Sequence, residues 1–303
     1  MSEKPVSTVI DSDLCTGCGL CVQVCPSGTI SMKSGKAVVT GNSSLNCGHC
    51  EAVCPVGAVC VRNLGSKYPH FRSFESNEKW IPYGRFDINR LVGLIRSRRS
   101  CRNYLEKEVD RNILEDLVNI GICAPSGTNS QKWTFTILPD RRAVISAGEM
   151  IGAFFKKLNR LAEKNYLRKI LKLLGKPTLD NYYREYFETV REALDQYESG
   201  GKDRLFHGAS AVIIVGAEPG ASCSAEDALL ASQNILLGAH ALGLGTCLIG
   251  FAVEAMKNDR SIQKALGIPK EESIHAVIAL GYPKEHYQRP CKRKRPVIRF
   301  FGF

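Results

Sequence analysis

The chain has 303 residues, of which 44% are hydrophobic and 23% are charged, and it carries a net charge of +11 at neutral pH. These values are ordinary for a globular protein, and the length is sufficient for one small and one larger domain. The thirteen cysteines would suggest disulfides in a secreted protein, but seven lie in two short runs and the others are scattered. Because the N-terminus also lacks a signal-peptide pattern, we predict a reducing, cytoplasmic location.

The basic charge is dispersed over three stretches, at residues 96–99, 156–172 and 292–295. No zinc-finger or RNA-binding signature accompanies it, so we expect phosphate-bearing cofactors or acidic redox partners rather than nucleic acid. Residues 235–253 are uncharged and contain four glycines and a histidine. This pattern favours a buried helix, a glycine turn and a buried strand, and we predict no membrane span.

The first chemical signature is the run CTGCGLCVQVCP at residues 15–26, in which the cysteines are separated by two, two and three residues. In such an iron–sulfur run, three thiolates bind one cluster and the fourth binds a second cluster. A second run, CGHCEAVCP at residues 47–55, repeats three of the four cysteines 29 positions later, as from Cys18 to Cys47. The repeat places Ser44 where the first run has Cys15. Seven cysteines in this register favour iron–sulfur clusters over a zinc module or a disulfide knot.

On these two runs, residues 6–61 resemble the bacterial two-cluster ferredoxins, with one ligand missing. The resemblance implies two [4Fe-4S] clusters with crossed ligands. It leaves the fourth ligand of the second cluster open between Ser44, Cys60 and no residue, and we expect Cys60 on a strand nearer the first cluster. The implied ligands are Cys15, Cys18, Cys21 and Cys54 for the first cluster, and Cys25, Cys47 and Cys50 for the second.

The residues after the second cysteine run are predicted to form a linker, two helices and a strand. Residues 63–86 are polar and aromatic without clear periodicity, which predicts a linker that packs on another part of the molecule. Asp87 and Asp110 are then expected to cap two amphipathic helices, because apolar residues recur at helical spacing after each of them. Residues 133–138 alternate in polarity and predict a strand.

The rest of the chain alternates between helices and strands. Residues 141–157 are predicted to be helical, and residues 158–204, broken at residues 175–177, to form helices that cover the core or a partner. This order predicts an α+β or α/β sheet packed by helices, and we expect the α+β class, with a ferredoxin-like domain followed by a domain whose central mixed sheet is packed by helices. The remaining elements are strands at residues 211–216, 245–251 and 274–280, and helices at residues 224–242 and 253–266.

Three segments of the larger domain carry groups suited to a flavin nucleotide. RSRRSCRNY, at residues 96–104, offers guanidinium forks and a hydroxyl, which suit a phosphate monoester and ribityl oxygens. APSGTNSQKW, at residues 124–133, predicts a tight loop whose polar side chains can hydrogen-bond a flavin edge. GLGTCLIGF, at residues 243–251, precedes the basic tail. Taken singly, these segments also fit a solvated helix end, a capped turn and a solvated tail.

In this order the three segments resemble the FMN-dependent nitroreductase family, over residues 88–303 apart from residues 158–204. The resemblance implies bound FMN, a homodimer with FMN at the subunit interface, and a backbone N–H that meets the flavin's redox-active nitrogen. It identifies no catalytic residue. The implied cofactor-binding residues are Arg98, Arg99, Ser100 and Arg102, then Pro125, Ser126, Gly127 and Asn129, then Ile249 and Gly250, and finally Arg293 or Lys294, with the register open among Lys292, Arg293, Lys294 and Arg295.

We therefore predict a two-cluster ferredoxin-like domain at residues 1–62, a linker at residues 63–86, and an FMN-binding nitroreductase-like domain at residues 87–303, with residues 158–204 as its helical cover. Clusters carry single electrons and a flavin accepts one or two. The fusion thus predicts an oxidoreductase that takes electrons from a ferredoxin-like one-electron donor or NAD(P)H. Its acceptor is expected to be a nitro compound, an activated alkene or a quinone. The alternative is a non-catalytic electron carrier or a redox sensor.

Overall fold

Short strands and two single-turn helices surround the cysteines of the N-terminal segment. The computed structural model describes residues 4–65 and 69–302, so residues 66–68 of the predicted linker lie outside the described part. Gly19 and Gly48 precede the two helices with φ of +72° and +78°, a conformation that glycine adopts without strain. The elements are β1 (Lys4–Pro5), β2 (Thr8–Ile10), α1 (Leu20–Gln23), β3 (Ile30–Lys33), β4 (Lys36–Val39), β5 (Ser43–Ser44), α2 (His49–Ala52) and β6 (Val59–Val61).

The strands of this segment pair as the repeat requires. Strand β2 pairs with β6, β3 pairs with β4, and β1 pairs with β5, in each case antiparallel. The pairing of β1 with β5 sets Lys4 opposite Ser44 and so connects the N-terminus to the second cysteine run. The ferredoxin-like organisation predicted from the two runs is confirmed.

Helices and strands alternate in the remainder of the chain, as predicted. The elements are α3 (Ile88–Ser97), α4 (Arg111–Gly121), β7 (Trp133–Leu138), α5 (Arg141–Ala162), α6 (Asn165–Leu173), α7 (Thr178–Glu185), α8 (Phe187–Glu198), β8 (Ala211–Ala217), α9 (Ser224–Ala241), β9 (Gly245–Leu248), α10 (Gly250–Asn258), α11 (Arg260–Ala265) and β10 (Ser273–Gly281).

A four-stranded sheet with the order β7-β8-β10-β9 is the centre of the larger domain. The α+β class is confirmed, but the sheet is less mixed than expected. All three pairings among its strands are antiparallel, and the parallel component is a single bridge between Ser100 and Thr246. The chain returns from β8 through α9 to β9 at the far edge, and β10 then fills the place between them.

Helices cover both faces of this sheet. Alternate residues of β8 point to opposite sides, so that Val212 and Ile214 pack against α5 and α10 while Ile213 and Val215 pack against α4 and α9. Strand β8 is buried along its whole length, which explains its uninterrupted apolar sequence. Within the described residues, no helix combines the length and apolarity needed to cross a bilayer.

Side-chain caps fix several helix starts. Asp87 accepts hydrogen bonds from the N–H groups of Asn89 and Arg90, and Asp110 accepts one from Asn112, as predicted. The single helix predicted over residues 253–266 is wrong, because α10 begins at Gly250 and ends at Asn258. Asp259 adopts an extended backbone and caps α11 through the N–H of Ser261.

The linker is anchored on α4 by a buried carboxylate. Asp116 accepts hydrogen bonds from the backbone N–H of Arg72 (3.0 Å) and from both the N–H (2.7 Å) and the hydroxyl (2.6 Å) of Ser73. Burial alone would raise the pKa of Asp116, but the hydrogen bonds from Ser73 and Arg72 and the charge of Arg72 outweigh it and lower that pKa. In contrast, Trp80 and Tyr83 contact each other edge to face and remain exposed.

Candidate functional site

Four cysteines from both runs line a small cavity in the N-terminal domain. Cys15, Cys18 and Cys21 come from the first run, and Cys54 comes from the second. Gly17 lies in the same turn with φ of +74°, and a Cβ there would stand 2.1 Å from the carbonyl oxygen of Gly35. The backbone therefore closes on this loop so tightly that only glycine fits. This cavity gathers the four residues predicted to hold the first cluster.

A second cavity gathers only three cysteines. Cys25 of the first run and Cys47 and Cys50 of the second line it, together with Ser44 and His49. The hydroxyl oxygen of Ser44 accepts the N–H of Asn46 at 3.0 Å. Cys60 is exposed on β6 and lines neither cavity. Sequence reasoning had not considered His49, because its position between two cysteines of the run carries no ligand in the first repeat.

The donor sets of both cavities fit iron–sulfur clusters. Cys25 Sγ accepts the N–H of Thr29 at 3.4 Å, and Cys54 Sγ accepts the N–H of Ala58 at 3.2 Å, so the repeat reproduces the same N–H···S contact. Such contacts stabilise the negative charge of ligating thiolates. In the described ranges, no three His, Cys, Asp or Glu side chains converge closely enough for a single metal ion. A cubane takes one protein ligand on each iron, and the four thiols around the first cavity supply that number.

A group of arginines lies where α3 ends beside β9. Burial, followed by the charges of Arg99 and Arg293, lowers the pKa of the Arg98 guanidinium, so both of these cations lie close enough to act on Arg98. Within residues 4–65 and 69–302, none of the three forms an ion pair with a carboxylate. Mutually repelling guanidinium groups without a carboxylate suit a dianionic phosphate. The charge of Arg293 acts on Arg98, so the structure places this tail residue, which is exposed like Lys294, near Arg98.

The loop at residues 125–131 is held at the opposite end of the domain by a residue that the sequence did not reveal. Buried Asp227 accepts the N–H of Gly127 at 2.8 Å and the hydroxyl of Ser130 at 3.2 Å. Thr128, Asn129 and Gln131 all have φ near +51°, an unfavourable conformation for residues with a Cβ. Strain of this kind persists where surrounding contacts impose it and is concentrated at functional sites. The motif's Pro125 and Ser126 precede the strained residues, and Ser126 Oγ accepts the N–H of Gln131.

The third motif forms the turn from β9 into α10. The N–H of Ile249 is already donated to the carbonyl of Val277 at 2.8 Å. Gly250 begins α10, where a backbone N–H has no intrahelical acceptor, and no atom lies within 4 Å of a Cβ built on it. Gly250 rather than Ile249 therefore offers the backbone donor that the sequence predicted for a flavin ring.

A large cavity opens in front of this turn, with a volume of about 1790 Å³. Arg102 lies at its rim, while Ser100, also in the opening motif, pairs with Thr246. Part of its lining is aromatic and comes partly from the predicted helical cover. Phe155 and Phe251 contact each other edge to face at 5.5 Å, and Tyr186 contacts Phe251 at 5.8 Å. The cavity therefore combines aromatic, apolar side chains with a backbone donor and a cation in one lining.

The arginine group and the 125–131 loop lie at opposite ends of α9. The loop is bound to Asp227 in the first turn of α9, whereas the charge of Arg98 lowers the pKa of His240 in the last turn, after the effect of burial. The two positions are 13 residues apart, about 20 Å along a helix. An extended ribityl phosphate spans about 9 Å and the fused ring system adds roughly the same length, so one FMN could touch both groups only if it lay fully extended along α9. The predicted flavin residues thus form two groups.

The loop instead contacts the iron–sulfur domain directly. Asn129 donates its side-chain N–H to the carbonyl oxygen of Asn46 at 2.8 Å, next to Cys47 in the chain. Lys4 donates to the carbonyl oxygens of Asn129 (2.7 Å) and Thr128 (3.1 Å). We call Lys4, Asn46, Thr128 and Asn129 the domain junction. The side chain predicted to hydrogen-bond a flavin is therefore used between the domains.

Two buried thiols near the arginine group carry no sign of reactivity. Burial raises the pKa of Cys101 to about 11 and also raises the pKa of Cys247. A thiol with a raised pKa is protonated at neutral pH and is a poor nucleophile. Both cysteines belong to the core that packs against β10.

The sheet, the thiolate cavities and the arginine group define an oxidoreductase domain joined to a ferredoxin-like domain. Models of the 4Fe-4S binding domain match residues 8–31 and 45–58, and the model of the nitroreductase family matches residues 95–282. The last match covers more than half of the chain, which therefore belongs to the nitroreductase family.

Individual relatives agree with this assignment. A putative NADH dehydrogenase/NAD(P)H nitroreductase of Archaeoglobus fulgidus is 25% identical over 63% of this chain and 84% of its own length. Ferredoxin-2 of Desulfomicrobium norvegicum is 53% identical over 32 residues, which are 11% of this chain and 54% of the ferredoxin. The crystal structure of a nitroreductase with bound FMN from Bacteroides fragilis superposes with a TM-score of 0.50 and 20% identity, over 70% of this chain and 98% of that one, which shows a shared fold.

Proposed function

We propose that the protein passes electrons from a one-electron donor, through two [4Fe-4S] clusters and FMN, to a small organic acceptor. The enzyme is an FMN-dependent oxidoreductase of the nitroreductase family. When bound, the clusters transfer electrons singly, and FMN accepts them singly and delivers them in pairs. The observation that carries the proposal is the domain junction, in which the backbone next to Cys47 is hydrogen-bonded to the predicted flavin loop.

The chain's residues have separable roles in this proposal. The two cysteine sets hold the clusters, and Arg98, Arg99 and Arg293 bind the phosphate of FMN. The N–H of Gly250 donates to the flavin ring, and Asp227 fixes the loop that borders it. Each role follows from the donor type of the residue, since thiolates suit iron, guanidinium groups suit phosphate and backbone N–H groups suit a ring nitrogen.

The acceptor is a planar compound such as a nitroaromatic, an activated alkene or a quinone. At about 1790 Å³, the cavity exceeds the roughly 300–1,000 Å³ typical of a site for one small ligand. It can therefore admit an acceptor beside the flavin ring. Tyr182, whose hydroxyl donates to Asn159 at 2.6 Å, stacks with Phe155 at 6.5 Å and makes part of the wall rigid. An aromatic wall of this kind favours flat, weakly charged acceptors.

A second copy of the chain completes the flavin site. The apolar face of α3 is largely exposed, with 62% of Ile88 and 45% of Ile95 accessible, and Leu229 on α9 is also exposed. A face of this kind marks an interaction site. If two copies pack their α9 helices antiparallel about a two-fold axis, the loop end of one copy meets the arginine end of the other. This arrangement unites the two groups of flavin residues that one chain keeps apart.

The donor is a ferredoxin-like protein, which fits clusters that accept single electrons. NAD(P)H is the other candidate, supported by the printed name of the Archaeoglobus fulgidus relative. Anaerobic mixing with each donor, followed by absorbance of clusters and flavin, separates them. With reduced ferredoxin the cluster absorbance is expected to fall first, whereas direct use of NAD(P)H would reduce the flavin first.

The proposed reaction is tested by adding acceptors to the reduced protein without oxygen. Reoxidation of the flavin by a nitroaromatic, an enone or a quinone, with formation of the reduced product, is expected. If no member of these three classes reoxidises the flavin faster than buffer does, the proposed acceptor chemistry is wrong. FMN and iron are quantified in the same sample, which ensures that a negative result comes from a loaded protein.

A further inference from the structure

The domain junction belongs to one group of flavin residues only. Asn129 and Lys4 connect the second cluster's loop to residues 128–129, at the first turn of α9. The charge of Arg98 acts on His240 in the last turn of α9, and the helix separates His240 from Asp227 by about 20 Å. The iron–sulfur domain therefore contacts the 125–131 loop, which lies apart from the arginines of the same chain.

The strand order of the central sheet also separates the 125–131 loop from the Gly250 turn, independently of α9. The loop leads into β7 and the Gly250 turn follows β9, and these strands are the two edges of the four-stranded sheet. Three inter-strand steps separate them, about 14 Å. In register, Leu248 aligns through Ile278 and Ile213 with Ile137, whereas the loop lies beyond Trp133 at the start of β7. The Gly250 turn and the loop are thus separated by three strand spacings across the sheet and, in addition, by about four residues along the strands.

From these placements, and resting on the proposed function and its two-fold dimer, we infer that electron transfer to the flavin occurs between subunits. The second cluster of one chain reduces the FMN whose phosphate is bound by Arg98 and Arg293 of the other chain. Lys4, Asn46 and Asn129 are positioning residues for this transfer, because they hold the Cys47 loop against the strained flavin loop.

The step balances with a one-electron donor. One electron crosses the junction in each passage, and each electron oxidises one donor ferredoxin. Two passages, together with two protons from water, complete the two-electron reduction of the flavin. The second cluster is the exit because its Cys47 loop, through Asn46, is hydrogen-bonded to the flavin loop.

Mixed dimers test the inference, since two arrangements can carry the same substitutions. In the first, one chain carries Cys25→Ala and Cys47→Ala, and the other carries Arg98→Ala and Arg293→Ala. In the second, one chain carries all four substitutions and the other is wild type. The two chains carry different affinity tags, so that only mixed dimers are isolated, and iron and FMN are measured for each dimer. Both arrangements are expected to contain one flavin and one intact second cluster.

Transfer between subunits predicts opposite results for the two dimers when reduced ferredoxin is added without oxygen. The first arrangement should lose its flavin absorbance, because the intact cluster faces the bound flavin. The second should keep its flavin oxidised while its remaining second cluster is still reduced. The reverse pattern would show transfer within one chain and overturn the inference, as would bleaching in both dimers.

Other outcomes separate this inference from the proposed function. If wild-type protein binds FMN and iron but ferredoxin never bleaches its flavin, the proposed electron path fails as a whole. If the wild type is reduced and neither mixed dimer is, or if light scattering shows a monomer, the path between subunits fails alone. As a second perturbation, Lys4→Met is expected to slow flavin reduction without changing iron content, FMN content or cluster reduction. An unchanged rate would contradict a positioning role for Lys4.

Discussion

The two cysteine runs share a backbone turn, and two of the positions at which their side chains differ lie at the contact between the domains. Cys15 and Gly17 of the first run correspond to Ser44 and Asn46 of the second. Gly17 and Asn46 share a positive φ, +74° and +51°, so the turn is kept while its residue changes. Asn tolerates this conformation better than other residues with a side chain. The repeat has therefore diverged in its side chains and not in its fold.

Both altered positions serve the contact with the larger domain. Buried Asn46 accepts the N–H of Ser7 at 3.2 Å and donates to the carbonyl of Pro5 at 3.0 Å, and its own N–H binds Ser44 Oγ. Its carbonyl accepts from Asn129. The first cavity shows four thiols and a tight glycine turn, while the second combines three thiols with a junction. The first cavity thus encloses its ligands tightly, whereas the second cavity lies beside the contact between the two domains.

The largest difference is expected when one thiol is removed from each cavity. Cys50→Ala leaves the second cavity with two cysteines, and we expect it to lose its cluster completely. Cys21→Ala leaves the first cavity with three cysteines, the number that the second cavity has naturally, and we expect it to keep a labile cluster. Iron analysis after anaerobic purification measures both. Loss of iron from Cys21→Ala, together with retention of iron by Cys50→Ala, would contradict the proposed difference between the two cavities.

Exchanging the turn residues should have unequal costs. Gly17→Asn places a Cβ 2.1 Å from the carbonyl oxygen of Gly35, and we expect a loss of at least about 3 kcal/mol in the free energy of unfolding of this domain. Asn46→Gly keeps the positive φ and loses only the side-chain bonds to Pro5 and Ser7, about 1–2 kcal/mol. Urea unfolding followed by cluster absorbance compares them. Equal losses would show that the close approach of Gly35 to Gly17 does not set the cost of a side chain in the first turn.

The second cavity's contact with the larger domain should also depend on the linker. Asp116→Asn replaces an acceptor oxygen by an NH₂ group that faces the donors of Arg72 and Ser73, and we expect a loss of about 1–3 kcal/mol. Protease cleavage near residues 70–74, together with urea unfolding, measures this effect, and Asp110→Asn at an exposed cap is the control. Unchanged cleavage would show that the hydrogen bonds of Asp116 are not needed to hold the linker on α4.

The same anchor predicts a pH dependence with a definite sign. The folded-state pKa of Asp116 is lowered from its ordinary value of 3.8, so its stabilisation is complete above about pH 4 and is lost as pH falls through the lowered pKa. The wild type and Asp116→Asn should therefore differ most at neutral pH and converge in acid. A difference that grows below pH 4 would contradict the assigned cause.

The smallest expected effect concerns the missing ligand. Ser44→Cys restores the fourth thiol, and we expect the second cluster to survive air longer and the iron content to approach that of two complete cubanes. His49→Ala is the control, because His49 lines the same cavity. If His49→Ala removes iron while Ser44→Cys changes nothing, the histidine rather than the serine completes the site.

Much of this organisation could be predicted from the sequence, because its signals are local. Cysteine spacing identified both cavities, and capping aspartates with helical periodicity gave the starts of α3 and α4. The break between α10 and α11 was missed, since the apolar pattern continues across Asp259 and only the backbone there turns out of the helix. The nearly antiparallel sheet was missed because strand order depends on contacts between distant segments.

The candidate site could be predicted only in pieces. The arginines and the 125–131 loop both have recognisable motifs, but their separation by α9 is a property of the fold. Asp227 is an acidic residue in the first turn of a helix, where acidic residues are common, so nothing marked it as the residue that holds the loop. The domain junction arises from Lys4, Asn46 and Asn129, which are 42 and 83 positions apart in order along the chain.

The central claim, that the clusters deliver electrons to the flavin, is tested most directly by rapid anaerobic mixing with reduced ferredoxin. In the wild type, we expect cluster absorbance to fall before flavin absorbance. In the Cys25→Ala, Cys47→Ala chain, loaded with FMN to the same level, we expect the flavin to remain oxidised. Flavin reduction at an equal rate in both proteins would contradict the account.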